Sequence, residues 1–210
     1  MTQLPGSERS RLTVAQEAAR IMADHGIKDF HAAKRKAAAR LGLDRHGALP
    51  SNQEVEAALI EHHRLYSEDD HEQMLYHRRT VVLAFMRLIE TLEPRLVGPL
   101  LAGTASRDAP SNLHVFSDSP EDIAWLLESE GVDYKLFERR LRMQRGRSES
   151  FPGYRFEWQN VMIEATVFTY DGLRQAPLSP VDSKPMRRAS IKKVARLLEA
   201  AAPTSASSES

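Results

Sequence analysis

The chain has 210 residues, of which 41% are hydrophobic and 28% charged, and its 29 basic residues equal its 29 acidic ones. Such a composition excludes wholesale disorder and a global positive field for nucleic acid, so any anion contact has to be local. The absence of cysteine excludes disulfides, thiol catalysis and cysteine-based zinc sites, and it fits a reducing compartment. The opening MTQLPGSERSRLTVAQ has no signal-peptide core, and no uncharged run nears the roughly 20 residues of a membrane span, so a soluble, cytoplasmic protein is expected.

In chain order, Thr13 and Gln16 have capping-box spacing ahead of an apolar stripe, Val14, Ala18, Ile21 and Met22, which predicts a first helix ending at Gly26. Asp29 caps a second helix, FHAAKRKAAARL, closed by Gly42, and the Ser51/Glu54 pair starts a third, NQEVEAALIEHHRLY. Ser67 starts a fourth and longest helix that runs to Pro94 with Leu75, Val82, Phe85, Met86 and Ile89 along one side. Beyond Pro94 the period changes. LVGPLLAG is a short apolar run and NLHVF alternates, as buried strands do. Ser119 and Pro120 open a helix stopped by Gly131, and VDYKLFERRLRM reads as a long strand. A turn through Pro152 and Gly153 leads to YRFEWQ and VMIEATVF, a hairpin around Asn160 and Val161. A Pro-punctuated loop, LRQAPLSPVDSKPMRR, precedes a last helix over about residues 190–200, and PTSASSES reads as a disordered tail.

The expected fold class is therefore α+β: a helical N-terminal module over residues 1–94, then a small mixed β-sheet with flanking helices over 95–201, then a tail over 202–210. Between about residues 80 and 170 the order helix, strand, Gly-Thr turn, strand, helix and three strands resembles the nucleotidyltransferase fold of the DNA polymerase β superfamily. The resemblance implies that Gly103 and Thr104 contact nucleotide phosphates, and that a pair of carboxylates stands at alternate positions of the next strand with a third on a later one. Alternation would point such acids to one face, where they hold two metal ions for phosphoryl transfer. Here those positions carry Asn112 and His114, which are poor partners for Mg²⁺. Asp108 and Asp118 flank the strand without restoring the spacing.

Burying Tyr154, Phe156 and Trp158 on the same face as Val161, Ile163, Ala165 and Val167 places Glu157 opposite Glu164, with Arg155 on their face. Glu164 is the counterpart of the third family carboxylate, so one expected cleft combines Glu157, Glu164, Asn112 and His114; a solvated strand face neutralised by Arg155 is the alternative. Two basic sets stand out. One is Lys28, Lys34, Arg35, Lys36 and Arg40 around the second helix, read as a solvated surface. The other is Arg139, Arg140, Arg142, Arg145 and Arg147, where Arg140 and Arg142 are the expected phosphate contacts. Lys184, Arg187 and Arg188 form a further group in the late loop.

The functional expectation is a nucleotidyltransferase-like protein with a degenerate site, binding a nucleotide, RNA or a protein without catalysis. A contrary reading is an active transferase. There Glu157 and Glu164 hold Mg²⁺ or Mn²⁺, His114 moves a proton, Gly103, Thr104 and Asn112 bind the nucleotide, and Glu164, His114 and Glu157 are the catalytic set. A third is an adaptor whose N-terminal helices, above all the fourth, dock a protein partner through an exposed apolar stripe.

Overall fold

The computed structural model describes residues 6–27, 29–43, 49–66 and 68–201. Ser67, Lys28 and the tail therefore lie outside the described residues. In chain order come α1 (Gly6–His25), α2 (Phe30–Arg40), α3 (Asn52–Tyr66), α4 (Glu68–Leu88), β1 (Arg95–Val97), α5 (Pro99–Ala102), β2 (Ser111–Phe116), α6 (Asp122–Ser129), β3 (Tyr134–Arg142), β4 (Ser148–Trp158), β5 (Val161–Phe168) and α7 (Ile191–Ala201). The class is α+β, as expected. No helix among the described residues is long and apolar enough to cross a membrane.

Local chemistry explains most helix ends. Asp29 accepts hydrogen bonds from the His31 and Ala32 amides at 2.7 and 3.2 Å, capping α2. Ser51 and Glu54 exchange bonds in both directions, 2.7 and 3.1 Å, so the third helix starts on a true capping box. The Thr13/Gln16 pair does not do this. Helix α1 already runs from Gly6, and the Thr13 hydroxyl donates back to the Arg9 carbonyl at 2.9 Å inside it. An Arg11–Glu54 ion pair at 2.9 Å ties this earlier segment to α3.

The run LVGPLLAG divides instead of forming one strand. Gly98 adopts a left-handed φ of 71° after β1, and Pro99 then occupies the first turn of α5, where its missing N–H is tolerated. Farther on, Pro152 and Gly153 lie within β4 rather than in a turn. Beyond Gly153 the strand has lost its β5 partner, and a proline is accepted there. Gly153 is required by a close approach: a Cβ would sit 2.4 Å from Cζ of Phe137, whose ring lies across it.

The sheet order is β1-β2-β5-β4-β3, with β2 and β5 parallel at its centre and every other pair antiparallel. The β4–β5 turn falls one residue earlier than expected. Gln159 and Asn160 both have positive φ, 47° and 61°, as a two-residue type I′ turn demands, and Trp158 pairs with Val161. The apolar faces agree with expectation, because a turn moved by one residue changes the pairing by two and preserves parity.

One face of the sheet packs against α4, α6 and α7 in a single core that includes Phe85, Ile89, Leu113, Phe156, Ile163, Ile123 and Val194. The apolar side of α4 is thus buried in the core of the sheet. A separate core joins α1, α2 and α3 through small residues, among them Ala18, Ala19, Ala33 and Ala37, with Val55 and Leu59. The second face of the sheet carries Asn112, His114, Glu164 and Thr166 and looks towards this helical cluster.

Candidate binding cleft

A cleft of about 510 Å³ lies between the three-helix cluster, the polar face of the sheet and the loop over residues 179–187. Its helical wall is largely apolar, with Met22, Ile27, Phe30 and Leu59, and its sheet floor carries Asn112, His114, Glu164 and Arg139. That size and mixture match small-molecule sites, which run roughly 300–1,000 Å³.

The floor is set by register. Asn112 pairs with Glu164 and His114 with Thr166 across the parallel β2–β5 ladder, so all four side chains share one face. On β4 the residue opposite Glu164 is Arg155, whereas Glu157 stands opposite Met162. The expected Glu157–Glu164 opposition is therefore incorrect, because the turn at Gln159 and Asn160 moves Glu157 two positions away and leaves it exposed. Glu164 is buried, and both of its oxygens are taken. Arg139 Nη2 pairs with Oε2, while Arg155 donates to Oε1 through Nε at 2.8 Å and also through Nη2. Arg139 also donates to Asn112 Oδ1 at 2.8 Å, which makes one guanidinium the bridge between β2 and β5. A buried carboxylate held this way is balanced by cations already in place.

His114 is buried, and its Nδ1 accepts from Arg188 Nε at 3.1 Å, which puts the ring proton on Nε2. Burial, then the charges of Arg188 and Arg139, hold its pKa well below the usual histidine value, so the ring is neutral. Arg188 itself lies over the rings of Phe116 and Phe168, at 5.0 and 5.2 Å, and donates to the Gly172 carbonyl at 2.7 Å. Burial pushes its pKa down to about 10. Arg188 Nη2 and Thr166 Oγ1 are buried and find no hydrogen-bond partner among the described residues, leaving spare donor capacity around His114.

The Gly-Thr turn is placed differently from what the family resemblance implies. Thr104 lines the cleft, but the amides of Gly103 and Thr104 both donate to the Pro99 carbonyl, at 2.8 and 2.9 Å. Neither is left to cradle a phosphate. The turn is held from α4 by residues that sequence reasoning missed. His71 Nε2 donates to the Gly103 carbonyl at 3.0 Å, Arg79 to the Leu100 carbonyl at 3.1 and 3.0 Å, and Arg78 to the Ser106 carbonyl at 2.9 Å, to Ser111 Oγ at 3.0 Å and to the Ala109 carbonyl. Two adjacent arginines on an otherwise amphipathic helix were the available signal.

Of the described side chains in the second basic set, Arg139 alone enters the cleft. Arg140 and Arg142 alternate to the opposite side of β3 and are exposed, so their expected role as phosphate contacts of this site is corrected by strand parity. The α2 basic run is partly absorbed by structure: Lys34 donates to the Pro50 carbonyl and to Asn52 Oδ1 at 2.9 and 2.7 Å, and Arg40 approaches Glu17 at 3.4 Å. The α4 apolar stripe that would mark an adaptor is buried, with Leu75, Val82, Phe85, Met86 and Ile89 all in the core. His63, beside the cleft, stacks on His71 at 3.8 Å, and burial first, then its histidine neighbours, hold it down to about 4. On the same helix, α3, the Glu56 pKa is pushed upwards by burial and by Asp182, with Arg187 opposing.

The donor set does not fit a pair of divalent ions. Glu164 is saturated by arginines, Glu157 is remote from it in register, and among the described residues no group of three or more His, Asp or Glu side chains is arranged to hold a metal. Compared with known proteins, the chain matches no family model, no curated protein and no solved structure.

Proposed function

We propose that the cleft is a metal-independent, non-catalytic binding site for a nucleotide. The observation that carries this reading is the pairing of an arginine-lined polar floor with an apolar wall bearing Phe30 in a cleft of about 510 Å³. A nucleotide presents the complementary halves, an anionic phosphate group and a flat apolar base. The element order that resembles the nucleotidyltransferase fold supports the same reading. Arg139 is the phosphate contact, since its side chain is only half-buried and its charge is shared with Arg155 against one carboxylate. Asn112 and Thr104 offer uncharged polar groups to the sugar.

Calorimetric titration with each ribonucleoside triphosphate, with and without Mg²⁺ or Mn²⁺, tests the proposal. Saturable binding without metal is expected, weakened about tenfold or more by Arg139→Gln, as the loss of a charge-assisted bond predicts. Glu164→Gln discriminates further. If Glu164 held a metal for the ligand, this variant would abolish binding; here it frees two arginines, and binding is retained or tightened. No binding of any triphosphate in any condition would overturn the reading.

A further inference from the structure

The β3–β4 hairpin outgrows the sheet that carries it. Its strands pair from Tyr134 with Phe156 to Arg142 with Ser148, yet β4 pairs with β5 only from Gly153 to Trp158. The rungs from Glu138–Pro152 to Arg142–Ser148 consequently form a two-stranded arm. On its inner side Arg139 and Leu141 line the cleft, and the Phe151 ring packs on Phe168 at 4.4 Å. The outer side presents Glu138, Arg140 and Arg142, with Ser150 and Ser148 as the cross-strand partners of the two arginines, and all five are exposed. Arg147, at the start of the return strand, is exposed as well.

Charge sets this arm apart from the rest of the molecule. Residues 138–152 contain five arginines and two glutamates, in a chain whose 29 basic and 29 acidic residues balance as a whole. Among the described residues, Arg139 has its carboxylate in Glu164, whereas Arg140, Arg142 and Arg147 pair with none. Arg142 donates to the Ser183 hydroxyl at 2.5 Å, which steadies the side chain without neutralising it. Unpaired guanidinium groups alternating with hydroxyls suit closely spaced phosphodiesters, to which arginine donates in forked pairs and serine adds single bonds. The outer face of the arm carries no aromatic side chain for base stacking, so the contacts would be with the backbone.

We propose that the exposed part of the β3–β4 arm, through Arg140 and Arg142 with Ser148 and Ser150 on its outer face and Arg147 at its tip, binds the phosphodiester backbone of nucleic acid without reading its sequence. This surface touches the cleft only where Arg142 meets Ser183 of the cleft loop, and it does not depend on what the cleft binds.

Fluorescence anisotropy of the full chain tests it, with a labelled duplex DNA and a labelled single-stranded RNA of mixed sequence, each about 20 nucleotides long to exceed one binding site. Over about 50 to 200 mM salt, three phosphate contacts give a log–log slope near −2.7 on the duplex and near −2 on the single strand, and the probe bound more tightly at equal salt is the preferred form. Replacing Arg140, Arg142 and Arg147 together by Gln is expected to weaken binding about tenfold or more and to flatten the slope by roughly 2 to 3. The matched control is Lys192→Gln, Lys193→Gln and Arg196→Gln on α7, which removes the same charge elsewhere and should leave affinity within about twofold. Circular dichroism checks that both variants fold. No binding of either probe at low salt, or equal losses in the arm and control variants, would overturn the proposal. So would binding confined to anionic phospholipid vesicles. Nucleotide titration of an Arg140→Gln/Arg147→Gln variant, which keeps the Arg142–Ser183 bond to the cleft loop, should be unchanged, which separates this outcome from any failure of the cleft reading.

Discussion

The two faces of the sheet are made by the same strands and differ in what satisfies them. On the α4 side, Leu113, Ile163, Phe156 and their neighbours need only burial, and many combinations of apolar side chains meet that need. On the cleft side, Glu164 and His114 are as deeply buried as the core, yet each depends on named arginines, Arg155 across the hairpin and Arg139 and Arg188 from distant parts of the chain. A buried carboxylate without its cations would be costly, so this face tolerates few substitutions. Specificity of pairing, rather than hydrophobicity, distinguishes the face proposed to bind a ligand.

The largest break in this comparison comes from the apolar side. Phe85 is fully buried, with its ring 4.9 Å from that of Phe156 and 5.4 Å from Trp158. Phe85→Ala should cost about 3–5 kcal/mol, read from urea denaturation, while leaving nucleotide affinity unchanged in whatever fraction remains folded. On the polar side Glu164→Gln should cost less, about 1–3 kcal/mol, because Arg139 and Arg155 are partly exposed and recover hydration once freed. A double-mutant cycle with Arg139→Gln measures the coupling; a cycle that closes to zero would mean the bridge does not form in solution.

The smallest effect is a change in acid sensitivity. His63, with its pKa held at about 4, and His114, held well below its ordinary value, bind protons more readily in the unfolded chain than in the folded one. The stability they contribute by staying neutral is complete above about pH 6.5 and is lost as the pH falls towards 4 for His63 and lower for His114. Melting temperature should thus decline from pH 7 to 5, before carboxylates such as Glu17 and Glu54, whose pKa values are lowered, begin to protonate. His63→Gln should reduce that decline without moving the neutral-pH value much. An unchanged slope would show that His63 is hydrated in solution.

Local signals were legible where the physics is local. Asp29 and the Ser51/Glu54 box capped the helices they appeared to cap, and the alternation of Tyr154, Phe156 and Trp158 assigned the buried face of β4. Thr13/Gln16 misled because the same spacing recurs inside a helix, where nothing in sequence marks it as interior. The site was legible only in part. Asn112, His114 and Glu164 do share a floor, but their partners Arg139 and Arg188 come from 25 and 74 residues away, and no spacing rule reaches that far.

By itself the sequence determined the class of the fold, most of the helices and strands, and which side of the central strands is apolar, because caps, turns and alternation act over a few neighbouring residues. It also determined that β2 carries no carboxylate. Only the tertiary structure decided that Glu164 meets Arg155 instead of Glu157, that Pro99 consumes the amides of Gly103 and Thr104, and that Arg139 and Arg140 part company across β3. A one-residue change in turn position alters every cross-strand partner while leaving the apolar pattern intact, so hydrophobicity chooses the face and the turn chooses the neighbour.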